Sequence, residues 1–255
     1  MNNSMLANAA TRVAGRSRTL FASLALTGLA AATQTTWALD VAGLKVDEKV
    51  RVANQELVLN GAGIRYAAAG FVRVYVASLY LPQKRNTSND IGALKGAKRI
   101  HLALLREVNS NDFSKGLLGG MRANLPAAEQ QKHFDNLLKL GAIFGTIPSL
   151  KKGESITVDL IPGTGMIILV NGKKIGETFT DESFFQALLQ IWLGPKPIDD
   201  SLKPVLLGTV ASNGLSLGDV AAAAPGTVLS GVSVSDNTLG SAANGNGIGV
   251  SLTWV

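Results

Sequence analysis

Leu59-Asn-Gly-Ala-Gly-Ile-Arg65, followed by Phe71-Val-Arg-Val-Tyr-Val-Ala-Ser-Leu-Tyr-Leu81, is the stretch on which the fold turns. The second segment is rich in β-branched and aromatic residues and stops at Pro82, as a strand does. Both of its faces are largely apolar, which predicts a central strand covered on both sides. Residues 56–60 read as a short strand leading to Gly61-Ala-Gly63, and residues 64–69 as another, ending at Gly70. The glycines at 61 and 63 are read as permitting a tight backbone, not as touching a ligand.

Outward from this stretch, residues 98–108 form a further strand. Asn111 or Asp112 is placed to cap a helix running toward Asn124, which Pro126 closes. Pro126 opens the next helix, with Phe134, Leu137, Leu138 and Ile143 at helical spacing. Residues 155–161 alternate as a strand and turn at Pro162-Gly-Thr-Gly165. Asn171-Gly172, between apolar segments, is a strong hairpin signal. Residues 181–193 form a helix with acids in its first turn and Gly194-Pro195 after it, and Asp199 or Asp200 starts a last short helix. Strands, helices, strands and helices in that order predict an α+β fold, a large and mainly antiparallel sheet packed against a helical layer. Gly61-Ala-Gly63 lacks the third glycine of a dinucleotide fingerprint, and βαβ units are absent.

Composition narrows the chemistry. The 255 residues include no Cys and two His, at 101 and 133. That excludes a disulfide scaffold, an iron–sulfur cluster, Cys-ligated zinc and a thiol nucleophile. Neither a metal nor a cofactor is implied. The formal charge is +6, but Arg12, Arg16 and Arg18 lie in the first 38 residues, which hold no acid. The remaining basic excess is spread along the chain, unlike a nucleic-acid footprint. Those three arginines precede an apolar run at 20–32, and Thr36-Trp-Ala38 ends in a small-x-small pattern. Residues 1–38 are therefore expected to be a signal peptide cleaved after Ala38, the run being too short to span a bilayer. The mature chain is expected in the periplasm with no membrane span. Residues 209–255 are small and polar, with Asp219 and Asp236 as their only charges. Such a tail is expected to lack a packed core. Its end, 247–255, alternates at period 2 and reads as a strand.

In the Gly-x-Gly-x-Arg hairpin and the strand after it, residues 39–208 resemble the chalcone isomerase-like family, and its exported bacterial members above all. The resemblance implies a large antiparallel sheet wrapped against helices, with a ligand cleft between them. It implies two functional types. Chalcone isomerases cyclise a chalcone by phenolate attack on an enone, and the hairpin arginine stabilises the charge while hydroxyls hold the ketone and a water. Fatty-acid-binding members keep the arginine and hold a carboxylate with its alkyl tail, aided by a tyrosine on the next strand.

By this resemblance Arg65 falls on the family arginine. Tyr75 falls where the enzymes carry threonine and the fatty-acid binders tyrosine. Phe113 stands at the enzymes' tyrosine, Gly120 at their asparagine, and Ile191-Trp192 at a threonine followed by a bulky residue. The expectation is a domain binding a small amphipathic carboxylate through Arg65 and Tyr75. The alternative is an isomerase of the intramolecular lyase type using Arg65. A third reading, an envelope interaction protein, rests only on the tail. Arg73 and Tyr80 receive no role. His101, alternating with apolar residues, reads as a satisfied structural histidine, and His133, on a polar helix, as a surface one.

Overall fold

The computed structural model describes residues 38–68 and 70–212 and three strands further on. The expected leader lies outside the described residues except for Ala38. The described residues begin with a hairpin, β1 (Ala38–Val41) and β2 (Leu44–Asp47), turned at Ala42 and Gly43, both at positive φ. There follow β3 (Lys49–Val52), β4 (Gln55–Ala67), β5 (Val72–Leu81), the short α1 (Ser88–Ala93), β6 (Lys98–Leu104) and β7 (Val108–Asn109). The helical layer is α2 (Ser110–Asn124), α3 (Ala127–Lys132) and α4 (Phe134–Gly145). Then come β8 (Ser149–Leu150), β9 (Ser155–Ile161), β10 (Gly165–Val170), β11 (Lys173–Phe179), α5 (Ser183–Leu193) and α6 (Leu202–Leu206).

Seven strands form one antiparallel sheet in the order β11-β10-β9-β6-β5-β4-β3. The fold is α+β, as the sequence predicts. The period-2 alternation of each strand divides its side chains between two cores. On β6, Ile100, Leu102 and Leu104 enter the larger core beneath the helices, with Leu117, Phe144, Phe184 and Trp192. The other face packs Ile64, Val76 and Tyr80 against Val41 and Val46 of the β1–β2 hairpin. Strand β5 is thus covered on both sides, as its apolar faces require.

Three sequence readings are corrected. The two strands expected at 56–60 and 64–69 are one strand, β4. The ladder to β5 runs on through both glycines, with register shifts at Leu59/Gly61 and at Arg65/Tyr66. The helix expected from Pro126 breaks at His133, whose backbone (φ −97, ψ 11) separates α3 from α4. The apolar face also differs from the one expected: α4 buries Leu137, Leu140 and Phe144, while Phe134 and Leu138 are 51% and 59% exposed. Helix α2 is capped by Asn109, not by Asn111 or Asp112; its side-chain oxygen accepts from both of their backbone N–H groups. The Asn171-Gly172 hairpin forms as read, with both residues at positive φ. In the tail, the apolar–polar alternation forms β12 (Val228–Leu229), β13 (Val232–Ser235) and β14 (Gly249–Leu252), a small antiparallel sheet. Among the described residues no helix is long and apolar enough to cross a membrane.

Helix α6 is locked onto the sheet at Gly61. A Cβ there would collide with the Val205 carbonyl oxygen, so only glycine lets α6 sit this close to β4. Beside it, buried Asn60 donates from Nδ2 to the Leu206 carbonyl at 2.7 Å and accepts from Arg85 N at 2.7 Å. Gly61→Ala should therefore destabilise the fold by about 1–3 kcal/mol or more, the cost of overpacking. Gly119→Ala, on an open face of α2, should stabilise it by about 0.5–1 kcal/mol. Urea unfolding of the two variants measures the opposite signs.

Candidate functional site

Arg65 and Tyr75 face each other across the β4–β5 ladder, so their side chains share one side of the sheet. That side is the helical one, because Tyr75 belongs to the larger core and is 2% exposed. The guanidinium carbon of Arg65 stands 5.6 Å from the centre of the Tyr75 ring, a cation–π arrangement. From above, Trp192 of α5 donates its indole N–H to the Tyr75 hydroxyl at 2.9 Å. Burial pushes the Tyr75 pKa up to about 12, against the opposing effects of the Arg65 charge and the Trp192 hydrogen bond. The phenol therefore stays protonated at neutral pH. Having accepted from Trp192, it retains its own hydrogen to donate.

Arg65 is incompletely satisfied. Its Nε is buried and has no hydrogen-bond partner. The neighbouring Asp199 does not supply one. Its Oδ2 accepts from Tyr66 N at 2.6 Å, and its Oδ1 accepts from Ser201 N, Ser201 Oγ and Leu202 N at the start of α6. Among the described residues no carboxylate forms an ion pair with Arg65. A buried guanidinium N–H without an acceptor is costly, and a bidentate anion is the partner its geometry suits.

The other positions singled out by resemblance are apolar and tightly packed. Phe113 lies against Phe144, with ring centres 5.1 Å apart. Ile191 is fully buried, and a Cβ on Gly120 would meet its Cγ2 at 3.0 Å, so this glycine lets α2 approach α5. Neither Arg65 nor Tyr75 lines the cavity of about 340 Å³ between α4 and β11. Nor do they line the one of about 520 Å³ where the chain leaves α6. The expected cleft is a packed layer at this point. Trp192, read from sequence only as a bulky neighbour, holds the Tyr75 hydroxyl; no local signal marks a contact 117 residues away.

His133 is not a surface residue. It is fully buried, with Nδ1 3.3 Å from Asp181 Oδ2 and Nε2 3.4 Å from Glu129 Oε2. Its ring centre is 5.4 Å from that of Phe184. It precedes Leu137 and Leu140 by four and seven residues, so it shares the inward face of α4. His101 does satisfy one nitrogen, through Thr157 Oγ1 at 2.8 Å. Among the described residues no group of three or more His, Asp or Glu could hold a metal ion.

A family model described as chalcone isomerase-like matches residues 38–208. The chain belongs to the chalcone isomerase-like family. No curated protein sequence is significantly similar to it. The crystal structure of a fatty-acid-binding protein from Arabidopsis thaliana superposes with a TM-score of 0.50 at 14% identity, over 66% of this chain and 93% of that one. At that identity the likeness is one of fold. In this chalcone isomerase-like chain, the arginine and tyrosine of the β4–β5 hairpin come together, while the helices carry no hydroxyl or amide at Phe113, Gly120 or Ile191.

If Arg65 serves a ligand and not the fold, Arg65→Met should leave folding stability within about 1 kcal/mol of the parent. The variant removes a buried unpaired donor and loses a cation–π contact of similar size. Urea unfolding checks this; a loss of several kcal/mol would make Arg65 a structural residue.

Proposed function

We propose that the chain binds a small amphipathic carboxylate of the fatty-acid type, its head group held by Arg65 and Tyr75 and its alkyl tail lying between sheet and helices. The observation that carries this reading is the buried, unpartnered Nε of Arg65 beside a protonated Tyr75 hydroxyl that still has a hydrogen to give. A carboxylate accepts from both groups at once. The fold shared with a fatty-acid-binding protein supports the same class of ligand. Because Arg65 and Tyr75 sit in a packed layer, binding is coupled to a parting of α5 from the sheet.

The magnitudes suit a reversible carrier. About ten buried methylenes at ~0.8 kcal/mol each contribute roughly 8 kcal/mol. The charged hydrogen bonds add about 1.5–3 kcal/mol, and association costs about 4–15 kcal/mol. The net is binding of micromolar strength or weaker. The same reading has residues 1–38 removed on export to the periplasm and the mature chain starting at Leu39. Cleavage after Ala38 takes only one exposed residue from β1. The intact mass of the exported protein should correspond to Leu39 as the first residue; a mature form that retains residues 20–32 would overturn the assignment.

Calorimetric titration with dodecanoate tests the head-group site. Arg65→Ala should weaken binding by about one to two decades, and Arg65→Lys should recover only part, since a point charge cannot form the fork. Tyr75→Phe should cost about two- to tenfold, one neutral hydrogen bond. Dodecanol and methyl dodecanoate should bind weakly and ignore the Arg65 substitutions. Equal losses for acid and ester would defeat the proposal.

Cyclisation of a chalcone needs polar groups that hold the ketone and a water where charge develops. Phe113, Gly120 and Ile191 offer none, so chalcone turnover should stay at the uncatalysed rate, as followed by the loss of chalcone absorbance. Rapid turnover that depends on Arg65 would move the protein to the enzyme branch.

A further inference from the structure

The outer face of the sheet carries chemistry that the acid site does not use. Its central strands present polar side chains in two cross-strand rows. Ser78, His101 and Thr157 form one, and Tyr80, Arg99 and Asp159 the other. The β1–β2 hairpin packs over this face, and between hairpin and sheet lies a cavity of about 170 Å³. Its walls are apolar, from Leu44, Val46, Val76 and Ala103. Its polar groups come from Ser78, Tyr80, Arg99 and His101.

Of the three charged residues at this cavity, Arg99 and Lys45 are already paired. Arg99 donates Nε and Nη2 to the two oxygens of the buried Asp159, at 2.6 and 2.7 Å. Lys45, at the rim, pairs with Asp40 at 3.0 Å. The remaining rim charge, Asp47, is negative and disfavours an anion. Burial lowers the His101 pKa, so the imidazole is neutral at pH 7. Its Nδ1 is engaged with Thr157 Oγ1, and its Nε2 has no hydrogen-bond partner among the described residues. Burial raises the Tyr80 pKa above its ordinary value, and that hydroxyl stays protonated. Beside these charged residues, Ser78, Tyr80 and His101 face the cavity as neutral groups that both donate and accept.

Size selects the ligand further. A cavity of about 150 Å³ holds one benzene ring. A space of about 170 Å³ therefore takes a single ring with one small substituent and excludes a long acyl chain. A hydroxyl suits the polar end whichever His101 tautomer is present, because it donates to a bare Nε2 or accepts from Nε2–H. We propose that this cavity is a second ligand site, separate from Arg65, that takes a neutral hydroxylated single ring with its hydroxyl between His101 Nε2 and the Tyr80 hydroxyl.

Phenol is the probe, and the two histidines provide the readout. Titrated into the full chain at pH 7.5, phenol should shift the His101 imidazole signals saturably, with a midpoint on the order of 1 mM. The signals of His133 should stay in place. Ala103→Leu, which fills the cavity from β6, should abolish the shift while the melting temperature shows a folded protein. Tyr80→Phe, which keeps the packing, should weaken binding about two- to tenfold. Toluene, lacking the hydroxyl, and benzoate, carrying a charge, should each bind at least about tenfold more weakly than phenol. Saturation with dodecanoate should leave phenol binding unchanged. The proposal is overturned if phenol gives no saturable His101 shift, or if toluene or benzoate matches it. Competition between dodecanoate and phenol would also overturn it, assigning phenol to the acid site. If Ala103→Leu does not fold, an unaltered phenol affinity in Tyr80→Phe overturns the hydroxyl contact by itself.

Discussion

The backbone of β4 at Gly61 touches the backbone of α6 at Val205, and much of the domain is arranged around that contact. Asn60 ties the same point to the Leu206 carbonyl and to the loop after β5. Gly208, at φ +66, lets the chain turn away over the Asn60 carbonyl. Helix α6 is short and has little stability of its own. Its place on the sheet is set by a close approach that any side chain at position 61 would prevent. The connector before α6 is in turn held by Asp199, which reaches the β4 backbone at Tyr66, and by Asn124, which exchanges bonds with Lys196. Arg65 lies on β4 between the two anchor points, Gly61 and Tyr66.

The sheet then serves as a partition. Alternation sends Ile100, Leu102 and Leu104 of β6 into the helical core and sends Arg99, His101 and Ala103 to the other side. Each side solves its electrostatics differently. On the outer face every buried charge has a partner: Arg99 with Asp159, which keeps the pair tolerable away from water. On the inner face Lys98 gives its ammonium to the Leu94 carbonyl at 2.6 Å, and burial lowers its pKa. The buried Nε of Arg65 has no hydrogen-bond partner, and neither do Ser110 Oγ and the two ring nitrogens of His133.

His133 lies where the helices meet. Its ring fills the junction of α3, α4 and the start of α5, between Glu129 and Asp181 and against Phe184. Neither nitrogen reaches hydrogen-bond geometry with those carboxylates. The hydrogen bonds of Asp181 to Ser183 hold its carboxyl below its ordinary pKa, in spite of the opposing effect of burial. A negative charge therefore stays beside the imidazole across the neutral range.

Local chemistry determined much of this protein. Asn171-Gly172 dictated a hairpin because both positions need positive φ. Pro82 and Pro126 ended a strand and a helix because proline lacks the N–H. The apolar faces of β5 required cover on both sides. The glycine–arginine hairpin marked the family and put Arg65 opposite Tyr75. Tertiary structure decided the rest. The β1–β2 hairpin has too short a pattern to read, and its value as a cover exists only once the sheet is formed. Which apolar residues of α4 turn inward was settled by packing, with Leu137, Leu140 and Phe144 buried and Phe134 and Leu138 exposed. The bond from Trp192 to Tyr75, the collision that reserves position 61 for glycine and the cavity beside His101 each join residues far apart in sequence. No periodicity or propensity encodes such contacts, because they arise from which surfaces the completed sheet brings together.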